Sequence, residues 1–90
     1  MKKKTEKANV AVYIDAENIS YKKADSIMKT AKKQGRITSV RVCGLQNDEG
    51  TKKWSDTAKE LRAKGKQVVL IGEEKAPSKL RNAGDKFIEI

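Results

Sequence analysis

Three short apolar segments alternate with two segments of helical spacing along this chain. The apolar segments, which have the length of strands, are residues 9–15, 36–44 and 67–71. Between them, residues 20–34 and 51–64 repeat apolar side chains at the spacing of one helix face. Gly35 and Gly65 follow these two segments, where a helix ends most readily. The pattern predicts the element order β-α-β-α-β.

The alternation of strands and helices determines the fold class that we expect. Strands joined by single helices pair in parallel through right-handed crossovers, so residues 9–90 should form an α/β domain with a three-stranded parallel sheet. Both crossovers put their helices on the same face of that sheet. The first and third strands are apolar without alternation, which predicts burial on both faces. Residues 87–90 and a second chain are expected to cover the other face, because a bare apolar sheet drives association.

Length and composition exclude several classes of protein. A chain of 90 residues makes one small domain, and its single cysteine, Cys43, cannot form an intrachain disulfide. Histidine is absent, which excludes a histidine general base or metal ligand. No apolar stretch reaches the roughly 20 residues of a membrane span. Residues 1–8 are expected to form a flexible basic arm without the apolar segment of a signal peptide, which favours the cytoplasm.

The charge balance indicates a polyanionic partner. The chain carries 21 Lys and Arg against 12 Asp and Glu, a formal net charge of +9. Each phosphate that a lysine neutralises releases counterions, so such an excess favours binding to nucleic acid. The alternative is that the lysines only keep a small protein soluble. Lys22 and Lys23 lie on the lysine-rich face of the first predicted helix and are candidate nucleic-acid contacts.

The candidate chemistry follows the first predicted strand. Asp15 ends this strand, and Asn18 lies near the start of the next helix. The carboxyl ends of parallel strands are where open α/β sheets build ligand sites. A carboxylate that the sheet fixes there can hold Mg²⁺ or Mn²⁺, since these ions prefer oxygen ligands. The alternative is that both side chains cap the helix.

The sequence V-Y-I-D-A-E-N-I at residues 12–19 resembles the opening motif of the NYN family, which comprises nuclease-like domains of the PIN-like group. The resemblance implies a three-layer-type, half-Rossmann fold of the PIN-like kind. It also implies that Asp15 binds a divalent metal and acts in catalysis, while Asn18 orients it. RNA is then favoured over DNA as the partner.

A second segment resembles the same family. Residues 81–85, Arg-Asn-Ala-Gly-Asp, are similar to its Lys/Arg-Asn-x-x-Asp motif. From the residues alone, 85–90 could start a helix or form a short strand. The resemblance implies that Asp85 opens a third helix and joins Asp15 as a metal ligand and catalytic residue. The side chains then expected to contact nucleic acid are Lys79, Arg81 and Asn82.

The resemblance covers residues 9–88, which correspond to the N-terminal half to two-thirds of a domain of this family. The later acidic motif of the family, which supplies further carboxylates, is not matched in these residues. The family has the strand order 3-2-1-4-5, so the first strand here would be an unpaired edge. We therefore expect a homodimer or a hetero-complex, through the edge at residues 10–14 or through the uncovered sheet face.

Three functions are consistent with the sequence. The first is a metal-dependent ribonuclease whose site near Asp15 and Asp85 is completed by dimerisation. The second is a non-catalytic module that binds RNA or DNA. The third is a protein-interaction module that uses the open sheet edge. Cleavage with two metal ions needs enough carboxylates to hold both ions, and two aspartates do not obviously supply them.

Overall fold

The computed structural model describes residues 8–46 and 48–90, which contain a parallel sheet of four strands. In chain order the strands are β1 (Asn9–Asp15), β2 (Arg36–Leu45), β3 (Gln67–Gly72) and β4 (Lys86–Glu89). The order across the sheet is the same as the order along the chain, and every pair of neighbours is parallel. The α/β fold and the parallel strands are therefore as predicted. Residues 1–7 of the predicted basic arm lie outside the described residues.

Helical segments make each connection between strands. A 3-10 turn (Tyr21–Lys23) and α1 (Ala24–Lys32) join β1 to β2. The second connection holds α2 (Glu49–Lys52) and α3 (Trp54–Ala63), and the third holds the single turn α4 (Ser78–Arg81). Two side chains start these segments: the Ser20 hydroxyl accepts the Lys22 backbone N–H, and the Asp48 carboxylate accepts that of Thr51.

The hydrophobic core lies on one face of the sheet, under the helices. Val12, Val40 and Val68 are partners in register on the first three strands, and all three are buried. Two residues further along each strand, a second row is formed by Ile14, Val42, Leu70 and Phe87. The helices complete this core with Ala24, Trp54, Ala58, Leu61 and Leu80. All three connections contribute to this one core and so lie on the same side of the sheet, as right-handed crossovers in one direction require.

The other sheet face, called the open face below, differs from the prediction. Strand β1 alternates, because Val12 and Ile14 are buried whereas Ala11 and Tyr13 are exposed. Burial of β1 on both faces was therefore a wrong prediction. The physical reason is that the buried apolar residues of the helices all join the core cluster on the opposite face. The side chains of the open face, assigned from register and alternation, are Ala11, Tyr13, Ser39, Arg41, Cys43, Val69, Ile71, Lys86 and Ile88.

The fourth strand corrects the expected count of three. The backbone of Asp85 donates to Val68 O at 2.7 Å, which aligns β4 beside β3, and Ile90 N donates to Gly72 O at 2.9 Å. Leu80 and Ala83 fill the core below this short connection. The family order would put a fourth strand beside the first, but here it flanks the third, and β1 is left as an edge as expected. Of the residues expected to cover the open face, Phe87 packs on the core and Ile90 is 82% exposed.

Candidate metal and nucleic-acid site

The carboxylate of Asp15 is held at the carboxyl end of β1 by the turn that follows it. One oxygen, Oδ1, accepts the Glu17 backbone N–H at 3.2 Å, and Oδ2 accepts the Asn18 side-chain amide at 2.7 Å. The backbone N–H groups of Asn18 and Ile19 both donate to Asp15 O, at 3.1 and 2.9 Å. Because the Asn18 side chain donates its amide N–H to Asp15, its amide oxygen can accept a bond from, or coordinate, another partner. The structure thus brings Asn18 to Asp15, and its orienting role in a metal site stays a prediction.

A second acidic side chain, Glu17, is fixed in the same turn by the loop after β2. Gln46 Nε2 donates to Glu17 Oε2 at 2.9 Å. Gln46 is itself anchored by Thr51, whose buried hydroxyl accepts the Gln46 N–H at 3.0 Å and donates to Gln46 O at 2.8 Å. Sequence reasoning missed Gln46 and Thr51. The local signal was the cap pattern of Asp48 with Thr51, but that pattern does not show that the loop reaches Glu17.

Gly44 makes the close approach of β2 to this turn possible. Its φ is +79°, in the region that side chains other than glycine rarely adopt. A Cβ atom there would lie 3.0 Å from Glu17 Cγ and 3.5 Å from Asp15 Oδ1. The Ala16 N–H also donates to Cys43 O at 2.8 Å, which seats the turn against the end of β2. A glycine is therefore required where the two strand ends flank the carboxylates.

The donor atoms of the site are oxygens of carboxylates and amides. Asp15 and Glu17 supply carboxylates, and Asn18 and Gln46 supply amide oxygens in the same turn and loop. Such donors suit a hard cation that keeps several of its waters, as Mg²⁺ does. Within residues 8–46 and 48–90, no group of three or more His, Cys, Asp or Glu is placed to hold a metal ion. The donor types at Asp15 suit one hydrated ion, whereas a pair of ions needs more carboxylates than Asp15 and Glu17 supply.

Asp85 lies at the other end of the sheet, directly before β4, and does not open the helix that the resemblance implies. Its Oδ2 accepts the Val68 N–H at 2.7 Å, and its Oδ1 accepts Arg62 Nε at 3.1 Å. Val68 is near the amino end of β3, whereas Asp15 ends β1. Strand geometry separates the two aspartates by roughly 14 Å across the sheet and about 10 Å along it. Within one chain they do not form a common site, because the pairing of β4 with β3 fixes Asp85 at the amino end.

Comparison with known protein families gives a match to the NYN domain over residues 9–60, from β1 into α3. This chain belongs to the NYN domain family. The match includes Asp15, Asn18, Gly44 and Gln46, and it ends before β3 and β4. NYN domains are members of the PIN-like nuclease group, whose enzymes generally use divalent metal ions. No curated protein and no solved structure matches the chain.

Asp85 of this NYN domain has a structural role that can be measured. Replacing Asp85 by Ala leaves the buried Val68 N–H without an acceptor and removes the Arg62 ion pair. We expect the free energy of unfolding to fall by about 1–3 kcal/mol. Urea denaturation followed by the fluorescence of the buried Trp54 measures this. The exposed Glu73→Ala variant, which loses the same charge, is the control, and equal stability of the two variants would contradict the assignment.

The first lysines of the NYN domain after Asp15 lie in the 3-10 turn. Lys22 and Lys23 are exposed in the 3-10 turn. Lys22 and Lys53 both line a hollow of about 360 Å³, and Asp25, Asp56 and Glu60 line it too. This hollow shares Tyr21 with a neighbouring hollow of about 550 Å³ that Glu17 and Asn18 line. Lys22 and Lys53 are therefore one hollow away from Glu17 and Asn18, and they lie among acidic side chains.

The predicted nucleic-acid contacts near the fourth strand have partners inside the chain. Arg81 Nε donates to Ala76 O at 3.1 Å, and its guanidinium also contacts Glu89 at 3.1 Å. The same group stacks on Phe87, 4.8 Å from the ring centroid. Asn82 Nδ2 donates to Ser78 O at 3.0 Å. Lys79 is exposed, with its Nζ 3.9 Å from Asp56. Of these three, Lys79 and Asn82 are exposed, whereas Arg81 is half-buried.

None of the helices in residues 8–46 and 48–90 combines the length and apolar character that a membrane crossing requires.

Proposed function

We propose that this NYN domain binds RNA at the carboxyl edge of its sheet and holds one divalent cation, Mg²⁺ or Mn²⁺, at Asp15. The observation that carries the proposal is the orientation of the Asp15 carboxylate. Two donors of the following turn fix it, the Glu17 N–H and the Asn18 amide. A carboxylate that is already oriented loses little freedom when it binds an ion. The cation, when bound, supplies a positive charge that a phosphate of the RNA can approach.

Charge supports RNA as the partner. The net charge of +9 gives the chain a long-range attraction for any nucleic acid. Lys22 and Lys53 line a hollow that adjoins the one lined by Glu17 and Asn18. Without such lysines, the carboxylates of Asp15 and Glu17 would repel a phosphate. The divalent ion and the two lysines together offset that repulsion. RNA is proposed over DNA because of the family to which the chain belongs.

The test is the salt dependence of RNA binding by charge-reversed variants. In fluorescence anisotropy with a labelled single-stranded RNA, the double variant Lys22→Glu with Lys53→Glu should bind more weakly than the unmodified chain. Loss of two phosphate contacts should reduce the slope of log affinity against log salt by about 1.4. The control is Lys59→Glu with Lys75→Glu, which changes the net charge equally at other positions. If both double variants lose the same affinity, net charge alone drives binding and the proposed site is wrong.

A second candidate function is cleavage of RNA by an assembly of chains. The observation that favours it is that β1 is an edge strand that ends at Asp15. A second copy or another protein that pairs with this edge would bring its own side chains to Asp15, and two-ion cleavage needs such added carboxylates. One gel with labelled RNA and Mn²⁺ or EDTA, run across protein concentrations with light scattering in parallel, tests this. Cleavage should need Mn²⁺ and rise with the fraction of associated chains, and Mn²⁺-dependent cleavage by the monomer would contradict it.

A further inference from the structure

One row of side chains crosses the open face on all four strands. Tyr13, Arg41, Val69 and Lys86 are successive partners in register from β1 to β4. We call them the cross-sheet row. Three strand spacings give it a length of about 14 Å. The row therefore spans the sheet from its open edge to its last strand, on the side away from the helices.

An exposed aromatic ring stands at the edge of this row. Tyr13 is 66% exposed, and among the described residues only Ile90 is a more exposed large hydrophobic side chain. The Arg41 guanidinium lies 5.7 Å from the Tyr13 ring centroid, so the ring is supported by its neighbour. The next residue in the row, Val69, is only 5% exposed although it lies outside the core cluster. The row thus has an exposed ring at the sheet edge, followed by Arg41 and then by the buried side chain of Val69.

The charge of the row is positive. Arg41 and Lys86 carry its two charges, and no carboxylate belongs to it. Within the part of the chain that the structure describes, neither cation is paired with a carboxylate in a salt bridge. Both charges are therefore open to an anionic partner.

We propose that the open face binds single-stranded nucleic acid, with one base stacked on Tyr13 and phosphates held by Arg41 and Lys86. The proposal rests on the proposed function, because it supplies a second surface for the same RNA. Flat sheet faces with exposed aromatic side chains and flanking cations bind unpaired bases by stacking. A base in a duplex is already stacked on its neighbours, so Tyr13 selects unpaired strands.

The position of the row relative to Asp15 fits such a path. Tyr13 and Asp15 are two residues apart on β1, so their Cα atoms are separated by about 7 Å. A strand anchored on Tyr13 that follows β1 to its carboxyl end arrives at the Asp15 turn. The open face would then hold the part of the RNA that leads into the site.

The charges favour nucleic acid over a second copy of the chain on this face. Two copies packed face to face would bring both pairs of Arg41 and Lys86 together. Like charges in an interface are costly, and each chain already carries a net charge of +9. Nucleic acid brings the opposite charge to the same surface.

Variants of Tyr13 test this inference. The probes are a fluorescein-labelled single-stranded RNA of about 12 nucleotides and a hairpin of the same composition. Tyr13→Ala should weaken binding of the single strand by roughly fivefold to a hundredfold, which is the effect of losing one stacked base. Tyr13→Val, which keeps strand propensity without a ring, should lose as much, and Tyr13→Phe should bind as the unmodified chain does. Binding of the hairpin should change by less than twofold in all three variants.

The outcomes separate this inference from the proposed function. If the Tyr13 variants bind the single strand normally while the Lys22 and Lys53 double variant does not, the stacking surface is wrong and the carboxyl-edge site stands. If the unmodified chain binds no RNA, both are wrong. If light scattering shows a dimer that Tyr13→Ala dissociates while RNA binding is unchanged, a second copy occupies the face and the inference is overturned.

Discussion

Replacing Asp15 by Asn should weaken the binding of Mn²⁺ to this NYN domain by about 100-fold or more. The substitution keeps the size of the side chain but removes the negative charge that attracts the ion. The remaining oxygens at the turn, those of Glu17, Asn18 and Gln46, are engaged in or next to hydrogen bonds within the protein. Electron paramagnetic resonance of free Mn²⁺ measures the loss directly.

The control for this variant is Asp25→Asn, which removes one carboxylate from the exposed side of α1. It should bind Mn²⁺ as the unmodified chain does, and both variants should keep the unfolding midpoint within a few degrees. The proposed ion position is wrong if Asp15→Asn leaves Mn²⁺ affinity unchanged. Stability also distinguishes the two aspartates of the sequence motifs, because only Asp85 accepts a hydrogen bond from a buried backbone N–H.

Leu70→Ala should lower the free energy of unfolding by about 2–5 kcal/mol. We expect this loss to exceed that of Asp85→Ala. Leu70 lies in the middle of β3, is fully buried and is flanked in register by Val42 and Phe87. Small domains have total stabilities of about 5–15 kcal/mol, so this cavity removes a large share. Urea denaturation monitored by Trp54 fluorescence and by circular dichroism gives the change in the free energy of unfolding.

Ile71→Ala is the matched control, because Ile71 is the next residue and lies half-buried on the open face. It should cost less than half as much as Leu70→Ala, since fewer contacts surround it. A cost equal to that of Leu70→Ala would mean that the open face is covered in solution. The two variants together therefore test the packing of the core and whether another molecule covers the open face in solution.

The order of elements could be predicted because it depends on local patterns. Helical spacing, the cap at Ser20 and the glycines at 35 and 65 are all visible in short windows of sequence. The coverage of a sheet face is not local, because it depends on which side each crossover takes. The apolar run around Tyr13 therefore indicated a strand but did not determine the burial of its second face.

The fourth strand was less visible for a related reason. Four residues, Lys-Phe-Ile-Glu, are too few to distinguish a strand from the start of a helix. The choice is made by the pairing of Asp85 with Val68, which are 17 residues apart. The motif around Asp85 resembles that of the family, yet this pairing fixes the side chain at the amino end of the sheet. The resemblance in sequence therefore identifies Asp85 as an aspartate of the family motif, but its hydrogen bond with Val68 determines where that side chain lies in the sheet.

The candidate site shows the same difference between local and distant contacts. Asp15 and Asn18 are three residues apart, and their hydrogen bond could be foreseen from the turn that they begin. Gln46 reaches Glu17 across 29 residues, and nothing in either local sequence indicates the contact. The need for glycine at Gly44 follows from the same approach of the second strand. The contact of Asp15 with Asn18 within one turn could be predicted, and the contact of Gln46 with Glu17 between two strand ends could not.

The two edges of the sheet differ in how they can join other chains. The outer strand β4 has four residues and a charge at each end, which discourages pairing, whereas β1 offers seven residues with one charge. A molecule with a single adhesive edge can close a pair about a two-fold axis, but it has no second edge with which to add a third member. We therefore expect that any association of this domain through its strand edges ends at two sheets and does not grow into a filament.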